Sequence, residues 1–149
     1  MLKQYKFGFD IWGLILFFFI MLPNFIWFAC PAPNDILRVE SVTPTLDTIA
    51  SICQVLLVAL LCVLIHQDRS RLSLSKLIIA TLICIFLYYA GWCLYYCGIT
   101  NALIILLLTL MPCLAFLFFA IDRKNKIALV PILIFMLCHF IYGVVNYII

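Results

Sequence analysis

Five long apolar runs, parted by short polar stretches, divide the chain at 9-29, 46-66, 76-97, 102-121 and 127-148. Each is about the length at which an α-helix, rising about 1.5 Å per residue, crosses the roughly 30 Å hydrocarbon core of a bilayer. The polar stretches carry the punctuation expected between helices. Pro31 and Pro33 stop the first helix, and Asn34 and Asp35 favour a turn. Thr43 as N-cap and Pro44 at the first helical position open the second, which is expected to run to about His66. Ser75 or Ser73 can cap the third. Gly98 suits its left-handed end, and Thr100 or Asn101 can cap the fourth at once, making a tight hairpin. The fourth helix is expected to end near Ile121, and after the loop DRKNK the fifth runs to the end of the chain. The pattern predicts an all-α integral membrane bundle of five transmembrane helices forming a single membrane domain, 1-149.

Composition points the same way. Of 149 residues, 68% are hydrophobic and 10% charged, and mean hydropathy is +1.29. A soluble domain is nearer half apolar and a quarter charged, so the lipid bilayer is the expected partner for most of this surface. The net charge of +3 includes no basic run with interleaved aromatics, so nucleic acid is excluded as a partner. The few cations act instead as topology signals. Lys3, Lys6, Arg69, Arg71, Lys76, Arg123, Lys124 and Lys126 fall on one side of the five-span arrangement, and Arg38 alone on the other. The positive-inside rule then places the N-terminus in the cytoplasm and the C-terminus outside.

Polar side chains within spans are costly and turn inward, so their depth is informative. Asn24 lies in the outer third of the first span, and Ser51 and Gln54 in that of the second. Tyr88 and Trp92 lie in the middle and outer part of the third. His139, Tyr142 and Asn146 lie in the outer half of the fifth. Asp47, Ser51 and Gln54 share one helix face, as do His139, Tyr142, Gly143 and Asn146. Two such stripes plus Asn24 predict an outward-facing polar pocket, with Asn24, Gln54, Tyr88, Trp92, His139, Tyr142 and Asn146 as its ligand-binding residues. The alternative is that these groups only hydrogen-bond the helices together. Pro23 also frees a backbone carbonyl near Phe19, which needs a partner.

Eight cysteines fall almost entirely within apolar spans, where thiols pack as small hydrophobes. Cys93 and Cys97 lie one turn apart without a C-x-x-C pair, and a zinc site from them with His139 rests on no ligand motif. No G-x-S-x-G, H-E-x-x-H or P-loop is present, so no catalytic residue, cofactor or metal is assigned and an enzyme is the weaker expectation.

The segments MLPNFIWF at 21–28, PAPND at 31–35, LYYCG at 94–98 and CHFIYGVVNYII at 138–149 resemble a group of small polytopic membrane proteins of Gram-positive bacteria. The resemblance implies a bacterial plasma membrane location; the group has no assigned activity, so no functional residue carries over. The expected function is binding of a small ligand or a membrane partner, with homo-oligomers among the partners. The alternatives are a component of a small-molecule transporter, and a thiol-redox or lipid-modifying membrane enzyme.

Overall fold

The computed structural model describes residues 2–68 and 72–149. Arg69 and Arg71, two of the expected topology signals, lie outside the described residues. Five α-helices follow one another: α1 (Ile11–Ala29), α2 (Pro44–Val63), α3 (Lys76–Tyr96), α4 (Ala102–Asp122) and α5 (Lys126–Tyr147). All five are long and apolar enough to cross a membrane, which fits a multi-pass transmembrane bundle.

The second helix is shorter than its apolar run. It ends at Val63, and Leu64–His66 becomes a strand, β2, pairing antiparallel with β1 (Tyr5–Phe7). Apolar continuity through Leu64 and Ile65 cannot distinguish helix from strand. The partner decides it: Tyr5 faces His66 and Phe7 faces Leu64, and the ladder continues as Gly8 N–H donates to the Val63 carbonyl and Asp10 N–H to that of Cys62. His66 is therefore a buried strand residue with its ring edge-on to Tyr5, not the last residue of a helix.

The other ends follow local chemistry. Ser75 and Asn101 accept the N–H groups of Ile78 and Ile104, capping α3 and α4. Gly98, at φ +86°, closes α3 in a Schellman arrangement: Ile99 N–H reaches the Leu94 carbonyl and Gly98 N–H that of Tyr95. The α4–α5 connection repeats it with Lys124 at φ 56°, after which Asn125 caps α5 by accepting from Ala128 N–H.

The chain packs with α4 at the centre. Of its most apolar window 56% is buried, against 22% for α1, so α1 is the peripheral helix. Strong α3–α4, α4–α5 and α2–α5 packing forms the body, and α1 lies mainly on α2. Close approach of α4 and α5 needs Gly143, where a Cβ would stand 2.6 Å from Cγ2 of Thr109. Exposed Phe18, Phe19, Leu22, Phe25 and Ile26 on α1 make a surface suited to lipid.

The end of the bundle bearing the N-terminus is tied together by a buried ion pair and hydrogen bonds. Arg123, on α4's last turn, donates through Nε and Nη2 to Oδ2 of Asp10, at 3.0 and 2.8 Å, and both residues are about 95% buried. Asn125 donates to the Leu60 and Leu64 carbonyls at the frayed end of α2, and Ser75 hydrogen-bonds Asp122. Tyr5 Oη donates to the Lys124 carbonyl and accepts from Lys126 N–H. The N-terminal strand, the start of α3 and the α4–α5 connection are thereby held at one end.

Candidate functional site

The opposite end is built around Asp35, in the α1–α2 connection. Its carboxylate accepts from Trp27 Nε1 at 2.9 Å, Tyr95 Oη at 2.8 Å and Arg38 Nε at 2.8 Å. Arg38 also lies over the Trp27 ring, 5.0 Å from its centroid, and donates to the Trp27 carbonyl. Burial would raise the Asp35 pKa; the hydrogen bonds from Trp27, Tyr95, Arg38 and Ala32 N–H outweigh it and hold the carboxyl below its usual value of 3.8. Tyr96 Oη donates to the Cys30 carbonyl, and Asn146 accepts from Val42 N–H and donates to Thr43 Oγ1. The connection is thus tied to α1, α3 and α5.

Beneath it lie two neighbouring clefts. The outer one, about 350 Å³, is lined by Phe28, Asp47, Ala50, Ser51, Gln54, Phe135, His139 and Tyr142. The inner one, about 280 Å³, involves all five helices and takes in Asn24, Trp27, Gln54, Tyr88 and His139 among its walls. Phe28, Gln54, Phe135 and His139 border both. The volumes are at the lower end of those that hold small ligands.

Five of the seven residues expected at a pocket therefore line these clefts. Asn24, Gln54, Tyr88 and His139 surround the inner cleft, and Tyr142 joins Gln54 and His139 at the outer. Asn24 and Tyr88 are already engaged: Asn24 Nδ2 donates to Tyr88 Oη at 2.7 Å, and Tyr88 Oη donates to the Ile20 carbonyl at 3.1 Å. Gln54 Nε2 donates to the Met21 sulfur at 3.4 Å, and among the described residues its carbonyl oxygen has no hydrogen-bond partner. His139 is held by ring stacking between Phe135 and Tyr142, with centroids 5.0 and 6.0 Å away, and among the described residues its nitrogens have no hydrogen-bond partner.

Trp92 and Asn146 stand elsewhere. Trp92 is buried against Trp27, Tyr88, Tyr95 and Tyr96, and its indole N–H makes no hydrogen bond of standard geometry. Asn146 is spent on the α1–α2 connection and its own helix. Phe28 and Phe135 are lining residues that were not expected, whereas Asp47 and Ser51 line the outer cleft as members of the Gln54 stripe, although they were not named among the ligand-binding residues. The aromatic pair carried no signal, because a Phe in a span reads as lipid-facing or as core.

All eight cysteines are free, and Cys30, Cys93 and Cys97 are the exposed ones. Among the described residues no three His, Cys, Asp or Glu side chains converge as metal ligands, so Cys93, Cys97 and His139 do not form a zinc site. Compared with known protein families, with curated proteins and with solved structures, the chain matches none.

Proposed function

We propose that this chain is a multi-pass plasma-membrane protein that binds a small ligand in the paired clefts, entered from outside the cell. The carrying observation is the unspent hydrogen-bonding capacity of Gln54 and His139 where two clefts meet. Groups that only glued helices together would have found each other, as Asn24 and Tyr88 have. Here Gln54 and His139 line both clefts, and among the described residues the Gln54 carbonyl oxygen and the imidazole nitrogens have no hydrogen-bond partner. An unpaired polar group in an apolar solvent is costly, so water or a ligand is the natural partner.

Solvent reach tests the reading. With the exposed Cys30, Cys93 and Cys97 replaced by Ser, Gln54→Cys and His139→Cys are each exposed to a membrane-impermeant thiol reagent on intact cells. Labelling at both positions is expected. A folded protein with neither position labelled, on intact cells or in inverted membrane vesicles, overturns the pocket.

A further inference from the structure

The outer cleft is lined by a carboxylate, Asp47, that forms no ion pair among the described residues. Asp47, in the first turn of α2, accepts the Thr43 hydroxyl at 3.3 Å and lines the cleft; among the described residues no Lys or Arg pairs with it, and His139, on the same cleft, is a titratable group that interacts with it electrostatically. Its place near the helix N-terminus accounts for its tolerance there, because the first-turn amides favour a carboxylate, but that half-charge leaves it incompletely balanced. The α1–α2 connection adds to the imbalance. Its one cation, Arg38, is bound to Asp35, and Glu40 is exposed. The field at this end therefore favours incoming cations and opposes anions.

The walls around Asp47 are aromatic. Phe28, Phe135 and Tyr142 line the same cleft, and Phe135, His139 and Tyr142 form a stacked row along α5 with interplanar angles of 21° and 14°. A carboxylate beside aromatic rings is the arrangement that recognises organic cations, through charge pairing and cation–π attraction. Since among the described residues no three metal-ligating side chains converge, it suits an organic cation better than a metal ion.

We infer that the outer cleft binds an alkylammonium group, with the Asp47 carboxylate opposing its charge, Phe28, Phe135 and Tyr142 as its aromatic walls, and Gln54 as a hydrogen-bond acceptor. This rests on the clefts being a ligand pocket. The ammonium can belong to a free small molecule or to a phospholipid headgroup, and the chemistry at Asp47 is the same for both.

Equilibrium binding of labelled choline to the full-length protein in phosphatidylglycerol nanodiscs tests it, beside dimethylbutanol, the uncharged analogue with carbon in place of nitrogen. Choline is expected to bind at least about tenfold more tightly than dimethylbutanol, and Asp47→Asn to weaken choline about tenfold while leaving dimethylbutanol unchanged. Phe28→Leu, at a peripheral position, is an independent variant expected to weaken choline as well. In nanodiscs containing phosphatidylethanolamine, weaker choline binding identifies the headgroup as the occupant, and unchanged binding identifies a free ligand; both carry the inference. Equal binding of choline and dimethylbutanol, or full choline affinity in a folded Asp47→Asn, overturns it. So does absence of choline binding in both nanodiscs when positions 54 and 139 are labelled from outside, which leaves the pocket standing. Failure of that labelling from both faces of the membrane is a failure of the pocket itself.

Discussion

Pro23 leaves the Phe19 carbonyl without its helical donor, one turn back along α1. In lipid such a group has no water to turn to. Tyr89 Oη supplies the bond at 2.7 Å from α3, while Tyr88 Oη and Asn24 Nδ2 donate in addition to the next carbonyl, Ile20, which Pro23 does not orphan. Tyr89 is therefore the partner of the carbonyl that Pro23 frees. The need for a donor could be read from Pro23; its identity could not, because Tyr89 stands 70 residues away. A double-mutant cycle isolates the link. Tyr89→Phe is expected to lower stability by about 1 kcal/mol, the scale of an interhelical hydrogen bond. In a Pro23→Ala background, where residue 23 regains an N–H for Phe19, the same change should cost much less. Equal costs in both backgrounds, read by unfolding in detergent, would show that Tyr89 is not serving that carbonyl.

At the scale of elements, the α1–α2 connection behaves as one body because Asp35 gathers it. Its depressed pKa sets a sign. A carboxyl held below its unfolded value contributes stability that is present above about pH 4, and the contribution is lost as pH falls through the folded value. Acidification from neutral is thus expected to loosen this connection, and Asp35→Asn, which cannot ionise, to flatten the acid limb of the stability curve. An unchanged pH profile in Asp35→Asn would remove Asp35 from that role. The helices themselves were legible from apolar run length, and the caps at Ser75, Asn101 and Gly98 from local chemistry. The β1–β2 pair was not, since three residues on each side carry no alternation long enough to read. The Asp10–Arg123 pair was not either: its members are 113 residues apart, and each alone reads as a solvated end residue. Asn146 misled for a related reason, because a shared helix face gives direction but not which neighbour, cleft or connection, stands there.

For the whole molecule, the two ends differ in kind, one tied by hydrogen bonds around a buried ion pair and the other open beneath an acidic connection. The described Lys3, Lys6, Lys76, Arg123, Lys124 and Lys126 belong to the tied end, and Arg38 to the open one. Charge asymmetry of this kind orients a multi-pass protein with its basic end in the cytoplasm. The cleft openings would then face outward, where a ligand from the surroundings meets them first. Two fusions decide the orientation. A reporter enzyme active only outside the cytoplasm should work when joined after Ile149 and fail when joined after Asn125, which ends the α4–α5 connection at the tied end. The reverse pattern would turn the bundle over. The clefts would then open to the cytoplasm, Gln54 and His139 would be unreachable by an impermeant reagent on intact cells, and the ligand would have to be an intracellular one.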